Sequence, residues 1–202
     1  GDDRWDDPSA AAVHDEAAHQ RAVLARMARL DRAALSAARA TSFDLYAQQL
    51  RDGIRGVELH AYLFALNQRD GVQTDVAIVD SLPFASLRDY EAWAARVDAW
   101  PRKLDATIIV LREAIAGRML WPRVVMERVP AQIDRLLTAP AEHPFFAPFK
   151  RVPPSIPAGG SARLRERVLA SIERGVLPAL HRLRAFFVDE YLPAAPAEVG
   201  LA

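Results

Sequence analysis

Apolar residues between Ser86 and Leu137 return every three or four positions, and prolines cut that pattern into pieces of helical length. Ser86, with Asp89 three residues on, is a helix start and predicts a first helix from Ser86 to Trp100. Pro101 suits the first turn of a second helix, where a missing N–H costs nothing. Leu104, Ile108, Leu111, Ile115 and Met119 then mark one helical face. Gly117 weakens the end of that helix, and Trp121-Pro122 opens a third with Val125, Val129, Ile133 and Leu136 on one side. Connections this short make consecutive helices neighbours, so the stretch predicts an antiparallel helical layer.

The flanking segments carry the same period. Asp7-Pro8-Ser9 starts a helix expected to run to Leu30, with Val23, Met27 and Leu30 on a shared face, and Trp5 is the anchor of the acidic opening from Gly1 to Asp7. Asp31 or Ser36 restarts the chain into a longer helix, where Phe43, Tyr46, Leu50, Ile54, Val57, Ala61 and Phe64 predict a core face. Gly53 and Gly56 each cost roughly 1 kcal/mol against Ala in a helix, and are expected where a neighbouring helix comes close. Asn67 to Gly71 reads as a turn, and residues 72–85 as a short helix or an extended crossing segment, with a single strand as the alternative. The prolines of residues 139–160 forbid a regular element, and Phe145, Phe146 and Phe149 are expected to pin that loop to the body. Ser161 then caps a last helix whose stripe is Leu169, Ile172, Val176, Leu180, Leu183, Phe187 and Tyr191. Such a helix has about 31 residues and is roughly 45 Å long. Pro178 is expected to kink it near Arg174 and Gly175, and Pro193 and Pro196 to end it.

The pattern as a whole predicts an all-α fold, a multi-helix array of about six to eight helices with short connections and one long proline-rich loop. It reads as a single domain over residues 1–202, with 1–138 as the main array, 139–160 as the loop and 161–195 as the long kinked C-terminal helix.

Composition narrows the function classes. Hydrophobic residues make up 51% and charged residues 26%, the balance of an ordinary globular chain. The 26 basic and 26 acidic residues cancel, so nucleic acid is not an expected partner. Lys103 and Lys150 are the only lysines. The absence of cysteine removes disulfides, thiolate nucleophiles and cysteine-bound zinc. No apolar run reaches the roughly 18 residues that read as a membrane span. The chain opens at Gly1 with neither an initiator methionine nor a signal peptide, which reads as a processed or deliberately delimited start.

Reactive constellations are scarce. His14 and His19 resemble a zinc helix, but a metal pair needs positions four apart; at a spacing of five the imidazoles point about 140° apart, which reads as a solvated polar face. Asp15 with His19 is correctly spaced, yet supplies only two ligands. His60, His143 and His181 lie on different elements and read as structural hydrogen-bonders. There is no Gly-x-Ser-x-Gly elbow. Gly159-Gly160 before Ser161 lacks the spacing of a phosphate loop and reads as a hinge and cap. Arg163, Arg165, Arg167, Arg182 and Arg184 read as the solvated face of the last helix, and Trp93, Trp100 and Trp121 as core rather than a ligand groove. No catalytic, cofactor-binding or metal residue is assigned in this chain.

Five segments carry a family resemblance: GDDRWDD at Gly1 to Asp7, LNQRDG at Leu66 to Gly71, LREAIAGRMLWPRVVMERVPAQID at Leu111 to Asp134, PFFAPF at Pro144 to Phe149, and VLPALHRLRAFFVDEYLPAA at Val176 to Ala195. Taken in order, they resemble the amino-terminal part of the DUF885 family, bacterial proteins often exported or lipid-anchored and similar to helical zinc metallopeptidases. Pro130 and Pro196 depart from the helix-compatible or basic residues expected there, and imply a local kink. The resemblance implies a helical, channel-bearing peptidase in which a zinc-held water attacks a peptide carbonyl. The family's His-Glu and Gly-His-His signature has no match in this chain, so zinc is expected in a carboxyl-terminal part that follows it.

The expectation is therefore the amino-terminal helical half of a zinc-metallopeptidase-like hydrolase, forming one wall of a peptide groove and inactive alone. Its expected partners are the C-terminal half of the same polypeptide and a peptide substrate, with a homodimer through exposed apolar surface as a further option. The resemblance places it in the periplasm or cell envelope, with the cytoplasm left open. The alternative is a free-standing helical binding or scaffold module without chemistry. A small metalloenzyme using His14 and His19 is a third, minor reading.

Overall fold

The computed structural model describes residues 4–199, and every regular element among them is helical. The α-helices are α1 (Ala10–Met27), α2 (Ala37–Glu58), α3 (Leu87–Ala116), α4 (Arg123–Met126), α5 (Val129–Asp134), α6 (Ala158–Ser171), α7 (Leu177–Phe186) and α8 (Leu192–Ala194). Short π turns at Ile172–Val176 and Phe187–Tyr191 join the last three, so residues 158–194 form one rod.

α3 begins in a capping box: the Ser86 hydroxyl accepts from the Asp89 N–H, and the Asp89 carboxylate accepts from the Ser86 N–H. It does not stop at Trp100, because Pro101 lies inside one continuous helix. An interior proline costs about 3 kcal/mol. Against that, Trp93, Val97, Trp100, Leu104, Ile108 and Leu111 are all buried on a face that passes straight through the proline, each worth roughly 1.5–3 kcal/mol. Breaking the helix there would expose half of them. The helix ends at Gly117, after which Arg118 takes the left-handed conformation and the Met119 N–H closes on the Ala114 carbonyl at 2.9 Å. Met119 therefore lies beyond the helix. The segment expected to form a third helix is two short ones, because Pro130 has no N–H to donate and opens a new first turn in α5. Val129, Ile133 and Leu136 are buried as the pattern predicts, but Met126 takes the inward place expected of Val125, which is half-buried.

The C-terminal rod packs alongside α3 in parallel, not antiparallel. The Ser171 hydroxyl bonds Asp98, a Cβ on Gly175 would lie 3.1 Å from the Pro101 ring, and the Arg112 guanidinium sits over the Phe186 ring. The two helices thus advance together, which the long return through residues 117–157 permits. Gly175 is required by the close approach of Pro101. The stripe Ile172, Val176, Leu180, Leu183, Phe187 and Tyr191 is buried throughout. Pro193 does not end the rod, and before Pro178 a π turn at Ile172–Val176 spans the place of the expected kink; in both π turns the N–H of the residue before the proline bonds five residues back, Leu177 to Ile172 and Leu192 to Phe187. The rod ends before Pro196, with Ala195 extended. It starts at Ala158 after Pro157, so Gly159 and Gly160 lie in its first turn, and the Ser161 hydroxyl donates to the Ala158 carbonyl instead of capping.

α1 and α2 form an antiparallel hairpin with a small cluster of its own: Val23, Met27, Ala47 and Leu50. Gln20 packs against Gly53, as a close approach requires, whereas nothing crowds Gly56. The longer core face expected for α2 is not formed. α2 ends at Glu58, Tyr46 is 48% exposed, and Leu30 lies beyond the end of α1 at 59% exposed. Residues 72–85 hold a 3₁₀ helix at Val72–Ser81 rather than a strand.

The proline-rich loop folds into 3₁₀ turns whose Phe145, Phe146 and Phe149 are all buried. His143, fully buried beside them, accepts the Phe145 N–H on Nδ1 at 3.1 Å. Burial takes its imidazole from 6.5 down to about 4, so it is neutral in the fold. A base depressed in this way contributes stability that is fully present above about pH 6.5 and lost as pH falls toward about 4, at most about 3 kcal/mol. Chemical denaturation between pH 7 and 4 is expected to show that loss, and His143→Asn, which keeps an acceptor for the Phe145 N–H, is expected to flatten it. An unchanged slope in the variant would contradict the assignment.

Candidate functional site

Arg96, Trp100, Lys103 and Thr107 follow one another at steps of four, three and four, and so share one face of α3. The segment at residues 4–8 lies across that face. The Trp5 indole N–H donates to the Arg96 carbonyl at 2.7 Å, and its ring meets Trp93 edge-on at 6.5 Å and Phe145 at 6.2 Å. Arg96 and Lys103 both stand 5.0 Å from the centre of the Trp5 ring, a distance at which a cation is attracted to an aromatic face. Trp5 is the anchor that the sequence predicts.

Charge is concentrated beneath this segment. The Lys103 ammonium bridges Asp6 at 2.7 Å and Asp75 at 3.1 Å, and Asp75 also accepts the Trp100 indole N–H at 2.9 Å. Lys103 and Asp75 are nearly enclosed, with side chains 10% and 15% exposed. Desolvation raises the Asp75 carboxyl above its ordinary value, while Lys103 and the Trp100 N–H pull it back. Three recesses adjoin the segment, of about 310, 400 and 290 Å³, and Asp6 lines all of them. The first is walled by Trp5, Ile78 and Arg96, with Asp6 and Asp75 opposite. The arrangement can hold a small polar ligand between fixed charges and an indole. Among the described residues it offers no nucleophile paired with a base.

The histidines singled out by sequence lie elsewhere. His14 and His19 are exposed on α1, and His14 and His60 both rest against Tyr62, at 5.9 and 6.1 Å between ring centres. His143 is buried in the loop and His181 is exposed on α7. Among the described residues no group of three or more His, Asp or Glu side chains is placed to hold a metal ion, so they do not fit a zinc centre. Trp93 and Trp100 are core, as expected, and Trp121 is half-buried against Phe64 at 4.9 Å. The arginines of the rod do more than face solvent. Arg167 pairs with Asp98, Arg182 with Asp105 and Arg184 with Asp134, while Arg165 donates to the Phe149 carbonyl; Arg163 remains exposed.

A family model described as "Bacterial protein of unknown function (DUF885)" matches residues 1–201. The chain belongs to the DUF885 family. No curated protein matches it. In this DUF885 chain the Asp75–Lys103 pair is what sequence reading missed, although a signal was present. Lys103 is one of two lysines among many arginines, and it falls on the inward side of α3. A compact ammonium can bridge two carboxylates in a narrow space where a guanidinium fork would not fit. What could not be read was the partner, because Asp75 comes from a segment without clear periodicity.

Asp75→Leu would leave the Trp100 N–H without an acceptor and Lys103 with Asp6 alone. The expected loss is about 3–5 kcal/mol of unfolding free energy in urea titration. Asp75→Asn keeps the acceptor for Trp100 and should lose less. A loss below about 1 kcal/mol for Asp75→Leu would show that this pair does not hold the 3₁₀ helix Val72–Ser81 to α3.

Proposed function

We propose that this chain is the amino-terminal helical part of a zinc-metallopeptidase-like protein of the cell envelope, and that it forms one wall of a peptide-binding groove without a catalytic centre of its own. The observation that carries the reading is the face of α3 under residues 4–8, where an indole, two cations and two carboxylates border open recesses. Peptides present amide N–H, carbonyl and apolar groups together, and such a mixed surface suits them better than a purely apolar or single-sign one. The resemblance of the ordered segments to helical zinc metallopeptidases supplies the reaction class. Zinc would then be held by residues outside the described part of this chain.

A second reading, a helical binding module without chemistry, is favoured by one feature. Leu30, Leu45, Tyr46 and Leu59 of the α1–α2 hairpin region are between 48% and 66% exposed.

The two readings separate on the natural gene product isolated from its source bacterium. The peptidase reading expects an intact mass well above 22.3 kDa, one bound zinc per chain, and peptide cleavage that stops on chelation, while the 202-residue chain binds peptides without cutting them. A gene product without zinc, or cleavage by the 202-residue chain alone, would overturn it.

A further inference from the structure

Among the described residues, Arg96 is an enclosed cation two of whose donors have no acceptor. It is only 7% exposed, its guanidinium lies against the Trp5 ring, and its Nε and Nη1 donors are buried with no hydrogen-bond partner. Leaving a buried charge unpaired is strongly unfavourable. A few residues away the same face of α3 pairs its other cation twice, Lys103 with Asp6 and Asp75. Arg96 forms part of the wall of the recess of about 310 Å³, yet neither Asp6 nor Asp75, which line the same recess, accepts from its guanidinium: both are turned to Lys103.

The surroundings restrict what the acceptor is. A guanidinium matches a planar carboxylate through directed N–H bonds. Arg4 and Arg96 line the recess together with Asp6 and Asp75, a balanced set that suits a ligand with one anionic end and N–H donors behind it better than a dianion such as phosphate. Trp5 and Ile78 supply apolar walls. The volume lies at the lower end of the about 300–1,000 Å³ typical of ligand sites, which suits one or two residues rather than a long chain.

We propose that this recess binds the terminal carboxylate of a short peptide, with Arg96 as its anchor. The last side chain of the peptide lies between Trp5 and Ile78, and Asp6 or Asp75 accepts from its backbone N–H. This deepens the groove reading above and rests on it.

The test is isothermal titration calorimetry of the 202-residue chain with trialanine and with trialanine amide. The free acid is expected to bind at least tenfold more tightly than the amide. Arg96→Gln should reduce the acid to the level of the amide, and Arg96→Lys, which keeps the charge but not the fork, should fall between; far-UV circular dichroism checks that each variant is folded. Equal binding of acid and amide by the unaltered chain would overturn the carboxylate site and leave the peptide groove standing. Binding of neither would overturn both, and full binding of the acid by Arg96→Gln would remove Arg96 from the site.

Discussion

Where α3 and the C-terminal rod touch, a proline ring on one meets a glycine on the other. Pro101 deprives α3 of a backbone bond, and Gly175 lets the rod come close enough to cover that place with packed side chains. Large buried residues lie on both sides of the contact: Trp100 and Leu104 on α3, Ile172 and Val176 on the rod. Without this approach, an interior proline would be a helix breaker. With it, a 30-residue helix becomes the mast on which the loop aromatics and the segment at residues 4–8 are set, while α5 packs on the rod.

The candidate site depends on that helix being continuous. Arg96, on one side of Pro101, and Lys103, on the other, fall on a common face only because the helix continues between them. The rod secures the opposite side through ion pairs to Asp98 and Asp105. Each is surface-exposed and worth little alone, so their part is to fix rotation and register while the apolar stripe supplies the stability. The face left over is the one that Trp5 crosses. Because Trp5 reaches Arg96, Trp93, Lys103 and Phe145 together, this short segment is coupled to the core and to the buried charges at once.

Much of this architecture was legible in the residue pattern. The α3 capping box, the stripe from Leu169 to Tyr191, the pinned phenylalanines and the Trp5 anchor follow from local chemistry that needs no partner. The misreadings share one cause. Pro101 and Pro193 read locally as boundaries, but tertiary packing and a π turn carry the helices through them, whereas Pro178, read as a kink, does have a π turn at Ile172–Val176 before it. The α2 face failed for the opposite reason, since its period is sound but α1 and two short turns cover only part of it. The candidate site was the least readable part. Its charges come from three separate places, residues 4–8, the 3₁₀ helix at Val72–Ser81 and α3, and only the fold brings them together.

Native-state hydrogen exchange tests the central claim that α3 and the C-terminal rod form one cooperative unit to which the α1–α2 hairpin is an attachment. Amides on both sides of Pro101 and around Gly175 are expected to exchange only through global unfolding, at a common free energy, while those of α1 and α2 open at a lower one. Separate protection levels before and after Pro101, or a hairpin as protected as α3, would contradict it.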